Sequence, residues 1–65
     1  MPTPARDASE LHGKVLYIED QEVNQLLVEA MLAPFPHVQL IHARTGAEGV
    51  RLARSERPDL ILLDM

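Results

Sequence analysis

The apolar positions of the chain fall into blocks of two kinds. Val15-Leu16-Tyr17-Ile18 and Leu60-Ile61-Leu62-Leu63 are unbroken runs, each stopping at an acid, Glu19-Asp20 and Asp64. Runs this short, rich in β-branched or large aliphatic residues, read as parallel strands covered on both faces. The first strand is assigned to Lys14 through Ile18 and the third to Leu60 through Leu63. Val38-Gln39-Leu40-Ile41-His42 alternates at its start, which reads as a strand with one wetter face, hence an edge.

Between the strands the period changes to that of a helix. Val23, Leu26, Leu27, Ala30 and Met31 recur at steps of three and four residues, which predicts one core-facing stripe. Gln21, Glu22, Gln25 and Glu29 fall mostly on the other side. Asp20 is the expected N-cap, and Pro34 and Pro36 end the helix. The second helix opens at Thr45-Gly46-Ala47-Glu48, which has the form of a capping box. Ala47, Val50 and Ala53 share a face there. Gly49 weakens that helix by about 1 kcal/mol relative to Ala, and a small residue at that place suits close packing on a sheet. Arg57-Pro58 closes it.

Strands alternating with helices through short connections predict a parallel sheet with right-handed crossovers. Two strand orders are open, 3-2-1 and 2-1-3. The second is preferred, because the first strand is apolar throughout and the second is half wet. The expected fold class is therefore α/β, a doubly covered parallel sheet in order 2-1-3. In that order the first and third strands are neighbours, and Glu19, Asp20 and Asp64 gather at the carboxyl edge, where open α/β sheets place their ligands.

Composition narrows the picture. With 65 residues, one domain is the upper bound, and a chain this small buries only roughly 60% of its unfolded surface. There is no Cys to staple it, which fits a reducing compartment. A 46% hydrophobic content is too high for disorder, and with Tyr17 and Phe35 the only aromatics the core must be aliphatic. A net charge of −4 with scattered Lys and Arg argues against a nucleic-acid surface. No apolar run approaches the about 20 residues that span a bilayer. Residues 1–13 contain Pro2, Pro4 and Gly13 without periodicity, and read as a flexible leader to a domain over 14–65 that is not a signal peptide. A cytoplasmic protein is the default.

Gathered carboxylates raise one another's pKa or recruit a cation. Their hard oxygens suit Mg²⁺ or Mn²⁺ rather than Zn²⁺. His37 and His42 are separated by an odd number of residues along a strand, so they point to opposite faces and make no ready metal pair. A carboxylate in such a place can attack a phosphoryl group. Asp64, ending what reads as the most buried strand, fixed and desolvated, is the candidate nucleophile. Asp20 is the candidate direct metal ligand, with Glu19 acting through a water.

Three segments resemble response-regulator receiver domains of the two-component, chemotaxis-regulator-like kind. They are Lys14-Val15-Leu16-Tyr17-Ile18-Glu19-Asp20-Gln21-Glu22-Val23-Asn24, His42-Ala43-Arg44-Thr45-Gly46-Ala47-Glu48-Gly49 and Arg57-Pro58-Asp59-Leu60-Ile61-Leu62-Leu63-Asp64-Met65. The resemblance covers 14–65 and matches the amino-terminal half of that domain. It implies a flavodoxin-like fold, truncated here to strand-helix-strand-helix-strand. It also implies a phosphoacceptor that is not an enzyme in the usual sense. Asp64 would be phosphorylated by a histidine kinase or a histidine phosphotransfer protein, with Mg²⁺ held by Glu19, Asp20 and Asp64. The family's later Thr or Ser and its Lys, which hold phosphoryl oxygens, have no counterpart in this stretch.

Two other readings compete. An aliphatic third strand at the sheet edge, without Lys, Pro or bulge, invites pairing, so a self-associating half-domain that homodimerises through this strand is one. A Mg²⁺-dependent enzyme similar to Toprim domains is the other, but it needs an Asp two residues beyond the later acid, past Met65. The plain structural readings are a capped helix at Glu19-Asp20, a core stripe at Leu27 and Met31, a cap at Thr45, and ordinary strand or surface histidines.

Overall fold

The computed structural model describes residues 11–63. Asp64, Met65 and the first ten residues, most of the expected leader, lie outside the described residues. The elements run β1 (His12–Ile18), α1 (Glu22–Leu32), β2 (His37–Ala43), α2 (Gly46–Glu56) and β3 (Leu60–Leu63). They form one parallel sheet in the order β2-β1-β3. This is a flavodoxin-like arrangement of the expected class and order. β1 pairs with β2 from His12↔His37 to Ile18↔Ala43, and with β3 from Val15↔Leu60 to Ile18↔Leu63. Being central, β1 carries the buried Leu16 and Tyr17. β2 keeps its expected alternation, with His37 and Gln39 exposed and Val38 and Leu40 half-buried.

β1 begins two residues earlier than the sequence pattern suggests. Gly13 lies within it at a φ of 144°, which favours a residue without Cβ. A Cβ there would stand 2.9 Å from Asp59 Oδ2. The close approach serves a double link between β1 and the approach to β3. The Lys14 amide donates to Asp59 Oδ2 at 2.8 Å, and the Asp59 amide donates to the Lys14 carbonyl at 2.8 Å. Lys14 Nζ also donates to the Glu56 carbonyl, 3.1 Å away, and lies 3.6 Å from Glu56 Oε1. That ion pair is half-exposed and contributes little by itself. The backbone links hold the α2-to-β3 turn against the start of the central strand.

α2 behaves as its box motif demands at one end. Thr45 is the N-cap, and its Oγ1 accepts the Glu48 amide at 3.1 Å. At the other end Arg57 takes the left-handed conformation before Pro58, with φ 49°. The buried face is rotated from the one expected, with Ala53 common to both. Gly49 is buried and Leu52 and Ala53 are half-buried, whereas Ala47 and Val50 face outward. Gly49 explains the rotation: it lets the helix axis come down onto β1 at Ile18, as the predicted role of a small residue requires. A Cβ on Gly49 would meet Ile18 Cδ1 and, at 2.8 Å, Cγ1.

α1 departs further from the pattern. Val23, Leu26, Leu27 and Met31 are 61, 56, 59 and 70% exposed, so the expected core stripe lies open among the described residues. Asn24, Gln25, Val28 and Leu32 are the half-buried positions instead. The apolar arc of α1 is wider than one sheet-facing stripe, since Val28 and Leu32 lie opposite to Val23 and Leu27. Gln25, expected on the outer face, is tethered inward by a side-chain hydrogen bond to the end of β1. β3 shares the exposure. Its four residues range from 36 to 61% exposed, against the reading of its sequence as a strand covered on both faces. Its apolar run has β1 on one edge and little else from residues 11–63.

Candidate functional site

The acidic turn leaves the carboxyl end of the central strand, and the two acids behave oppositely. Glu19 is 5% exposed, while Asp20 is exposed. A buried carboxylate is tolerated only when its charge is met by donors. Glu19 Oε1 accepts the Gln21 amide at 2.9 Å, and Tyr17 Oη approaches Oε2 at 3.4 Å. Tyr17 and Glu19 are two residues apart on an extended segment, so they share a face. Hydrogen bonds to charged groups contribute about 1.5–3 kcal/mol each when well made, and the amide bond is the better of the two.

This geometry corrects the expected helix cap. Gln21, not Asp20, is the N-cap residue of α1, and no side chain caps it from its own position. The longer arm of Glu19 reaches round the turn to take the N–H of Gln21, the N-cap residue itself. Asp20 is thereby released to solvent. The backbone of Glu19 is held from two other elements. Its amide donates to the Ala43 carbonyl of β2 at 2.9 Å. Its carbonyl accepts Gln25 Nε2 of α1 at 3.2 Å and His42 Nε2 of β2 at 2.9 Å.

Sequence reasoning missed His42, Gln25 and Tyr17 as parts of this site. His42 was read as an ordinary strand residue. The parallel register that sets Tyr17 against His42 was the available signal, because it brings His42 to the end of β1. The two rings lie 6.3 Å apart with an interplanar angle of 48°. His37, at the opposite end of β2, pairs with His12.

Among the described residues no cluster of three or more His, Cys, Asp or Glu side chains is gathered tightly enough to hold a metal ion. Asp64, the third expected ligand, lies outside them. The two acids that are described fit a hard cation in kind. They offer adjacent carboxylates, one anchored by N–H and O–H donors and one open to water. Leu63, which precedes Asp64 in sequence, is paired with Ile18, which precedes Glu19.

A cavity lies elsewhere among the described residues. An apolar groove of about 300 Å³ runs along the amino ends of the strands between Leu11, Val15, Leu32, Phe35, Val38 and Leu60. It lies at the opposite end of β1 from the acidic turn. Its apolar walls follow from the uncovered sides of α1 and β3, and His12, Lys14 and Asp59 also line it.

The chain is 36% identical over 53 residues to Protein PilH of Pseudomonas aeruginosa, covering 82% of this chain and 43% of that protein. It is 42% identical over 53 residues to the transcriptional regulatory protein LiaR of Bacillus subtilis, covering 80% of this chain and 25% of that protein. It is 39% identical over 51 residues to the polar-differentiation response regulator DivK of Brucella anthropi, covering 78% of this chain and 41% of that protein. Its homologues are response regulators. With the β2-β1-β3 sheet, this identifies receiver-domain sequence of the two-component class. The chain spans between a quarter and somewhat over two-fifths of the length of these relatives. No family model matches it, and no solved structure does. No helix among the described residues is long and apolar enough to cross a membrane.

Proposed function

We propose that this chain is the phosphoacceptor part of a two-component phosphorelay, receiving a phosphoryl group from a phosphohistidine onto Asp64. The donor would be a histidine kinase or a histidine phosphotransfer protein, and the setting the cytoplasm. The observation that carries the reading is the pairing of β1 with β3, which ends one residue before Glu19 on one strand and one residue before Asp64 on the other. Similarity to response regulators supports it. In the transfer, a carboxylate oxygen of Asp64 forms a bond to phosphorus as the P–N bond breaks. The electron pair of that bond returns to the imidazole nitrogen. Glu19, Asp20 and Asp64 would hold Mg²⁺ or Mn²⁺, which supplies neutralisation of the phosphoryl oxygens. Asp20 is the direct ligand in this reading, being open to solvent, and Glu19 acts from its anchored position through a water.

The experiment is incubation of the chain with acetyl phosphate and Mg²⁺, read by intact mass. A phosphoryl adduct that Asp64→Asn abolishes is the expected result. A folded sample that gains no mass, or an adduct that survives Asp64→Asn, overturns the assignment.

A second reading rests on the open edge and exposed side chains of β3. Two copies pairing these strands would extend the sheet and cover Leu60 to Leu63. Sedimentation of a folded, concentration-independent monomer removes that reading. Ile61→Lys should shift an associating sample toward monomer.

A further inference from the structure

Glu19 is gripped from β2 on both sides of its α-carbon. Ala43 takes its N–H at 2.9 Å, and His42 meets its C=O at 2.9 Å. Adjacent residues of one strand thus clamp the two peptide groups that flank a single residue of the next. A main-chain oxygen only accepts, so Nε2 of His42 carries the hydrogen. Gln25 shares the same oxygen at 3.2 Å from α1, but on a longer contact and a more flexible arm. The imidazole has only two rotatable bonds, sits in the sheet, and packs beside Tyr17, which itself reaches Glu19 Oε2. With its peptide groups fixed, Glu19 keeps its carboxylate inward on the Gln21 amide, and the chain direction at Asp20 is set outward.

We infer that His42 is a positioning residue for the acidic turn: by donating to the Glu19 carbonyl it holds the conformation in which Asp20 faces a divalent cation. The inference rests on the proposed metal role of Asp20, and it concerns a bond to the backbone rather than a ligand. In this role His42 acts through the Glu19 backbone and would be neither a cation ligand nor a phosphoryl contact. Loss of outer-shell partners of metal ligands typically lowers affinity by 10–100-fold. A backbone brace shared with Gln25 places this case near the lower end, at about tenfold.

Two substitutions separate the donor from the bulk of the ring. His42→Phe keeps a ring beside Tyr17 and removes the donor. His42→Gln places an N–H the same number of bonds from the α-carbon as Nε2. Mn²⁺ binding to the whole chain, measured from the electron-spin-resonance signal of the free ion, should weaken about tenfold in His42→Phe and return to within about twofold in His42→Gln. Equal affinity in His42→Phe and the parent overturns the inference, as does a His42→Gln variant as weak as His42→Phe. Hydrogen exchange of the Gln21 amide tests the brace without metal. Its protection should fall in His42→Phe and recover in His42→Gln, and equal protection in all three chains overturns the inference. A parent chain that binds no Mn²⁺, or binds it unchanged after Asp20→Asn, defeats the metal reading instead, and the exchange measurement still decides the role of His42.

Discussion

Gly49→Ala sets two known effects against each other at one atom. In an exposed helix the change gains about 1 kcal/mol, because Ala surrenders less backbone entropy than Gly. Here the new methyl would enter the contact between α2 and β1. It would meet Ile18 Cδ1 and stand 2.8 Å from Cγ1 and 3.6 Å from Cγ2. Carbon atoms rest at about 3.5–4.0 Å, so the first two contacts are repulsive and only the third is comfortable. The δ-methyl can swing aside. Cγ1 cannot easily follow, since χ1 of a β-branched residue is stiff, and Ile18 is pinned in register with Ala43 and Leu63. Overpacking of this kind costs about 1–3 kcal/mol. Net destabilisation by about 1 kcal/mol is expected after the helix gain is subtracted. Urea denaturation followed by far-ultraviolet circular dichroism, at fixed protein concentration, measures it. Ile18→Ala deletes both clashing atoms, so the same Gly49→Ala change should cost less in that background, with a coupling of about 0.5–1 kcal/mol. If Gly49→Ala stabilises the chain by the full helix-propensity gain, α2 does not approach β1 as closely as described and the reasoning fails.

Two further stability predictions follow from the ends of α2. Thr45→Ala removes the acceptor for the Glu48 amide and should cost about 1 kcal/mol by urea titration, whereas Thr45→Ser should cost less than half of that. Arg57 holds φ 49° at the C-cap, so Arg57→Gly should stabilise by up to about 1 kcal/mol; a loss of stability would mean that the Arg side chain makes contacts outweighing its backbone strain.

The topology was legible because it depends on local patterns. Unbroken apolar runs at Val15 to Ile18, alternation at Val38 to Leu40 and proline at positions 34, 36 and 58 were enough to order the elements. Which side of each helix meets the sheet was not legible. In α1 apolar residues occupy most of the circumference, so the period alone could not choose between Val23-Leu27-Met31 and Val28-Leu32. In α2 the deciding residue was Gly49, which carries no hydrophobic signal and acts by its absence of bulk. Glu19 and Asp20 were legible as a pair but not in their division of labour. That division is set by contacts to Tyr17, Gln25 and His42, of which the last is 23 residues away. Asp64 stood out from its position after Leu60 to Leu63, and it lies beyond the described residues, so its part in the site rests on sequence and on the strand register that leads to it.

Tyr17 gives the acidic turn a voice of its own. It is the only tyrosine in a chain without tryptophan, and its phenol oxygen lies 3.4 Å from Glu19 Oε2 with the His42 ring 6.3 Å from its own. Its ultraviolet emission is therefore not an average over the molecule. It arises at the one place where strand, helix and acid are tied together, and a carboxylate that shifts toward or away from the phenol changes its quenching. The native sequence thus carries a single-site fluorophore beside its proposed cation ligands, with no label required.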